Sequence, residues 1–158
     1  MIDAHCSHGV GPPLAEGELQ AALGNAEARS LEKGLRWTEP RRRVYELLLK
    51  AGGPVKAYDL MEVYAEGRTA KPPTIYRALD FLEQFGLVHR IASLNAYVAC
   101  DGEDPAHAAA FLICDCCGSA EEFEPGKVRN ATIAANTHGF QSRAIALEVR
   151  GRCHRCAA

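Results

Sequence analysis

Two cysteine pairs of identical spacing, Cys114-Asp-Cys-Cys117 and Cys153-His-Arg-Cys156, constrain this 158-residue chain more than any other feature. Two sulfurs three residues apart on a tight knuckle span one edge of a tetrahedron. A second pair brought alongside closes a four-cysteine zinc site with bonds of about 2.3 Å. The 35 residues between the pairs exceed a ribbon spacing, so a whole strand–helix–strand segment must run out and return between them. Such a site is structural, because no position is left open for substrate. The competing redox reading needs a CxxC that opens a helix in a βαβ unit, and neither pair sits that way. Seven cysteines, an odd number, also fit a disulfide framework poorly. Cys116 is then a bystander thiol, and His154 points to solvent from inside its knuckle.

Composition is that of a globular protein, with 47% apolar and 24% charged residues, which excludes a disordered or collagen-like chain. No run approaches the roughly 18 apolar residues that cross a bilayer. The opening residues lack the basic-then-apolar layout of a secretory signal. A cytoplasmic protein without membrane partners is expected. The net charge of −2 hides an uneven distribution: residues 1–32 carry −4, residues 33–90 carry +4 and residues 91–158 carry −2. A basic middle between acidic flanks suits a polyanionic partner.

The periodicity divides the chain into a flexible lead (1–13), a helical domain ending in a hairpin (14–100), a polar linker (101–106) and a smaller unit (107–158). Apolar residues at helical spacing (Leu14, Leu19, Leu23, Ala26, Leu31) predict a first helix to about Glu32. Thr38 caps a second helix through Val44, Leu47 and Leu48 that stops at Gly52-Gly53. A third spans about Ala57 to Ala65, with Leu60, Val63 and Tyr64 inward. Pro72-Pro73 opens a fourth, striped by Ile75, Leu79, Leu82 and Phe85 and closed by Gly86. Strands at about 87–92 and 96–100 flank a turn at Ser93-Leu94-Asn95. That order is the order of a winged helix-turn-helix. Beyond the linker, AFLIC, AEEFE and Phe140–Val149 predict strands, with a helix at about 128–136. The fold class is α+β.

The fourth helix suits recognition in the major groove. Its exposed face offers Thr74, Tyr76, Arg77 and Asp80. Arg77 suits guanine O6/N7, and Thr74 or Tyr76 a phosphate or thymine methyl. Arg41, Arg42 and Arg43 open the second helix, while Lys50, Lys56 and Lys71 stand at helix ends, where phosphates are gripped. The plain alternative for Arg41–Arg43 is a solvated helix face.

A second metal set is His89, Cys100, His107 and the acidic pair Glu121-Glu122. Two histidines, one thiolate and a carboxylate make a tetrahedral donor set that favours zinc over iron or manganese. Each residue also has an ordinary reading: Cys100 as a small buried hydrophobe, His89 as a surface residue, Glu122 as a solvated strand position. His5, Cys6 and His8 are either a weak metal site or part of a floppy tail.

The segments AYDLMEVY, AKPPTIYRALDFLEQFGLVHRI, NAYVAC, FLICDCCG, HGF and GRC resemble the ferric uptake regulator family, in its zinc uptake regulator branch, over about residues 30–156. The resemblance implies an N-terminal winged helix and a C-terminal α+β dimerisation domain, bound as a metal-loaded homodimer to palindromic double-stranded operator DNA. Carried over by position, Cys114, Cys117, Cys153 and Cys156 match the structural zinc ligands. His89, Cys100, His107 and Glu122 match the regulatory zinc ligands, and Tyr58 and Arg77 match residues that touch DNA. Iron-sensing members carry a His-His-x-His run before the first CxxC and a further histidine on the last long strand. Here the run is HAAAFLIC, with His107 alone, and the strand position is Ile145.

Together these readings predict a zinc-responsive transcriptional repressor of zinc uptake genes. It would hold one structural and one regulatory zinc per protomer, the second tying the wing to the dimerisation domain. No catalytic constellation or small-molecule substrate is expected. The rivals are a family member sensing iron, manganese or nickel, and a zinc-buffering or zinc-ribbon adaptor that never touches DNA.

Overall fold

A computed structural model describes residues 14–64, 71–100, 109–123, 138–141 and 145–157. The expected lead, the linker, the helix at 128–136, and His5, Cys6, His8 and His107 lie outside them. The described residues fall into two compact units, one within 14–100 and one within 109–157. None of their helices is long and apolar enough to cross a membrane.

The first unit runs α1 (Glu16–Glu32), α2 (Glu39–Ala51), β1 (Val55–Lys56), α3 (Ala57–Tyr64), α4 (Pro72–Gln84), β2 (Val88–Ile91) and β3 (Ala96–Ala99). Buried positions recur every three or four residues along its helices: Leu19, Leu23, Ala26 and Ser30 on α1; Val44, Tyr45, Leu48 and Leu49 on α2; Ile75, Ala78, Leu79 and Leu82 on α4. These stripes face one another and, with Leu60, Phe85, Leu87, Val88 and Tyr97, form one apolar core. Pro40 and Pro72 stand in the first turns of α2 and α4, where their missing N–H costs nothing. Gly52 ends α2 at φ 62°, a left-handed conformation that a side chain would strain.

Three expectations are corrected in this unit. Leu14 and Leu31 belong to the α1 periodicity but are exposed, because α1 docks through its middle turns. Val63 is half exposed: α3 buries Ala57, Leu60 and Met61, and Val63 falls off that stripe. The hairpin also has a third strand. β1 pairs antiparallel with β3, Val55 opposite Tyr97, in the order β1-β3-β2.

The second unit holds β4 (Ala109–Cys114), β5 (Ala120–Glu122) and β6 (Ala146–Gly151) in the order β5-β4-β6. β4 and β5 form a hairpin, Phe111 opposite Glu122. β6 lies parallel to β4, Cys114 level with Gly151. The strand expected over Phe140–Val149 is shorter at its start, and the described pairing begins at Ala146. Phe111 and Ile113 point to one side and are buried, whereas Leu112, Leu147 and Val149 share the opposite face and are exposed.

Candidate metal centres and nucleic-acid interface

The parallel pairing explains how two knuckles so distant in sequence meet. β4 and β6 end level with each other, at Cys114 and Gly151. The first knuckle is itself the β4–β5 hairpin loop: the Gly118 N–H donates to the Cys114 carbonyl, and the Cys114 N–H to that of Ser119, both at 2.9 Å. The second follows β6 directly, where the Cys156 N–H donates to the Cys153 carbonyl at 2.9 Å. Neighbouring strands are about 4.8 Å apart, so level ends deliver both knuckles to one place.

The Sγ atoms of Cys114, Cys117, Cys153 and Cys156 all lie within 4.8 Å of one another. Those of Cys117 and Cys153 are 3.9 Å apart. Thiolates in a tetrahedron with zinc bonds of about 2.3 Å sit about 3.8 Å apart, so the residues present fit zinc. The surroundings favour thiolate. Backbone N–H groups of Cys117 and Cys153 aimed at Cys114, with a smaller pull from that of Cys116, bring its thiol down to about 6 against the opposing effect of burial. One of these, the Cys153 N–H, lies 3.4 Å from the Cys114 sulfur. The Ser119 hydroxyl, 3.1 Å from the Cys117 sulfur, holds that thiol below its ordinary value. Cys116 and His154 are exposed.

Of the second set, His89 is half-buried on β2 and Cys100 is buried just after β3. The Cys100 N–H donates to the Leu87 carbonyl at 2.8 Å, and the Tyr45 hydroxyl to the Cys100 carbonyl at 3.4 Å. That anchoring leaves the thiol within 4.8 Å of a ring nitrogen of His89. Glu122 lies exposed on β5 of the second unit.

The α4 stripe dictates what the helix shows outward. With Ile75, Leu79 and Leu82 buried, Tyr76, Arg77 and Asp80 face solvent, and Thr74 is half-buried in the first turn. Lys71 is exposed just before the helix, and its carbonyl accepts from the Thr74 N–H at 2.9 Å. Tyr58 on α3 is 68% exposed, an unusual position for so large an aromatic side chain. Lys56 is exposed on β1, one residue before α3.

The α2 cations are more engaged than their sequence suggests. Arg41 stacks 3.5 Å above the Phe81 ring and donates to the Arg36 carbonyl. Lys50, Arg43 and Arg42 gather on Glu46 at 2.6, 3.2 and 3.8 Å. The Lys50 hydrogen bond, then that of Arg43, holds the Glu46 carboxyl below the ordinary carboxylate value against its partial burial.

Sequence reasoning passed over Ser119, Asp115 and Arg150. Ser119 sits two residues after a ligand, a spacing that signals a hydroxyl within reach. Arg150 donates through Nε and Nη2 to Asp115 Oδ1 at 2.9 and 2.6 Å, and nothing in the sequence pairs residues 35 apart.

Comparison with known proteins places this geometry. The model of the ferric uptake regulator family matches residues 32–150. The zinc uptake regulation protein of Escherichia coli (strain K12) is 40% identical over 141 residues, 87% of this chain and 82% of that protein. The solved structure of a zinc uptake regulator complexed with zinc and DNA superposes with a TM-score of 0.81 at 38% identity, covering 88% of this chain and 95% of that one. The holo XcZur crystal structure gives 0.78 at 44%, covering 90% and 99%.

Proposed function

The chain belongs to the ferric uptake regulator family, and from that premise we infer that it is a zinc-responsive transcriptional repressor, not an enzyme. It works in the cytoplasm as a homodimer on double-stranded operator DNA and controls zinc uptake genes. The observation that carries the reading is the union, on one chain, of an outward Tyr76–Arg77 helix face with four sulfurs set at zinc spacing.

Cys114, Cys117, Cys153 and Cys156 hold the structural zinc. His89 and Cys100, with His107 and Glu122, form the regulatory set. Bound zinc supplies a tie of fixed length and tetrahedral direction. The chain's own residues do the rest. Backbone N–H groups lower the Cys114 thiol, and the Ser119 hydroxyl that of Cys117, toward the thiolate that binds metal. Cys100 offers its sulfur from a backbone fixed by Leu87 and Tyr45. Exposed Leu112, Leu147 and Val149 give the sheet a face that a second copy covers. On DNA, Arg77 reads a guanine edge, Thr74 and Tyr76 touch neighbouring phosphates or methyl groups, and Tyr58 packs on the backbone. Lys56 and Lys71 neutralise phosphates. Arg42 joins them from the edge of its Glu46 pairing, and Arg41 acts from its stack on Phe81. With zinc held by His89, Cys100, His107 and Glu122, the population would shift toward dimers whose two recognition helices fit successive half-sites.

The test is a zinc titration of chelator-treated protein, with operator binding and metal content followed together. Operator binding should saturate at two zinc per protomer. Cys100→Ser should stay folded and dimeric with about one zinc, and should lose zinc-dependent DNA binding. Full binding at one zinc, or stronger activation by iron than by zinc, would overturn the reading.

A further inference from the structure

Arg150 and Asp115 join the two strand ends from which the cysteine knuckles spring. Arg150 is the penultimate residue of β6, and Asp115 is the first residue beyond β4. Both Arg150 donors converge on one carboxylate oxygen, at 2.9 and 2.6 Å. The Asp115 N–H donates to the Gly151 carbonyl at 2.7 Å, and the Cys153 N–H points at the Cys114 sulfur at 3.4 Å. Among the described residues, the Arg150–Asp115 pair is the link across these two segments that is made by side chains outside the cysteine quartet. We propose that the Asp115–Arg150 ion pair is a clasp that holds the two knuckles in bonding register and slows the escape of zinc from the four cysteines.

The proposal rests on the structural-zinc reading above. Both side chains are about half exposed, at 56% for Arg150 and 46% for Asp115. An isolated pair in that setting contributes little to folding stability. Its leverage lies in where it stands. Zinc leaves such a site when thiolates let go one after another, and a sulfur that has let go either rebinds or swings away with its knuckle. The backbone ladder between the two segments ends at the Asp115 N–H to Gly151 carbonyl bond, so beyond it the second knuckle can swing on its strand end once its bonds to zinc open. The clasp keeps them together through that interval. The rigid fork of the guanidinium places two donors at fixed spacing, which a lysine at the same position does not reproduce. The pair thus acts on the rate of zinc loss rather than on whether the site forms.

The experiment uses the full chain loaded with zinc and challenged with excess EDTA, with zinc remaining per protomer measured over time. Arg150→Ala and Asp115→Ala should each release the last zinc about tenfold faster, the lower end of what supporting residues of metal ligands typically contribute. The double variant should be no faster than either single, because one interaction is removed in each case. Arg150→Lys should fall between wild type and Arg150→Ala. Asp115→Asn, which keeps the size of the side chain, should behave as Asp115→Ala. Release at the wild-type rate in the single variants, or a double variant as fast as the product of the two singles, would overturn the clasp. A wild-type chain that holds no zinc on its four cysteines would instead overturn the function reading beneath it.

Discussion

The two units of this chain are held together by different chemistry. The helical unit buries residues from four helices: Leu23, Leu48, Leu60, Leu79 and Leu82 sit at or near zero exposure, with Phe85 and Tyr97 beside them. Burying each such side chain contributes about 1.5–3 kcal/mol, so the unit needs no cross-link. The described sheet of the second unit buries Ala110, Phe111, Ile113 and Cys114, and leaves Leu112, Leu147 and Val149 outside. Burial across this described sheet is small beside that of the helical unit. Under the proposed function, zinc on the four cysteines and a second copy over the exposed face add to that burial. The helical unit, which under the proposed function meets DNA, thus carries a large apolar core of its own, whereas the described sheet of the second unit stands beside four thiols at zinc spacing.

Removing one knuckle sulfur should break the comparison most severely. Cys114→Ser or Cys153→Ser should unfold the second unit, since structural zinc supplies on the order of 10 kcal/mol. Amide exchange should then rise over β4–β6 while α2 and α4 stay protected, and Cys116→Ser should leave zinc and dimerisation intact. The converse lesion is Leu79→Ala, which opens a cavity in the helical core. It should destabilise that unit by about 2–5 kcal/mol in thermal unfolding, with the last zinc retained.

Two smaller effects sharpen the contrast between core and surface. Arg77→Ala should leave both units folded yet weaken operator binding by about 1–3 kcal/mol and relax preference at one base pair per half-site. Lys71→Ala should instead weaken binding to every sequence and flatten its salt dependence. The smallest effect should come from Glu46. Its folded carboxyl titrates below the ordinary carboxylate value, so its contribution is fully present above that value and fades as pH falls through the lowered one. Glu46→Gln should cost about 0.3–0.5 kcal/mol for each helical i,i+3 or i,i+4 pair lost at neutral pH and remove that acid dependence of stability.

Helix positions were legible because periodicity is a local signal, and the α2 and α4 stripes lie where spacing puts them. Exposure at the ends of a stripe was not legible: Leu31 and Val63 have the right period, but among the described residues no element covers them. β1, only two residues long, exists through its pairing with β3 forty residues away, and carries no pattern of its own. The cysteine quartet was visible because CxxC encodes the bite of a tetrahedral ion chemically rather than positionally. The fate of Arg41 was not, since its partner Phe81 lies on another helix. The Asp115–Arg150 pair was hidden for the same reason: it belongs to the strand ends, not to either motif.

The parallel alignment of β4 with β6 also fixes an order of events in time. The β4–β5 hairpin and its knuckle close over a few residues and form on the microsecond scale. β6 must find its place by a diffusive search whose tether is the whole span from Cys117 to Ala146, and non-local parallel pairing is slow. Two of the four sulfurs are thus placed by a hairpin that closes locally, while the other two reach their positions only once β6 has paired.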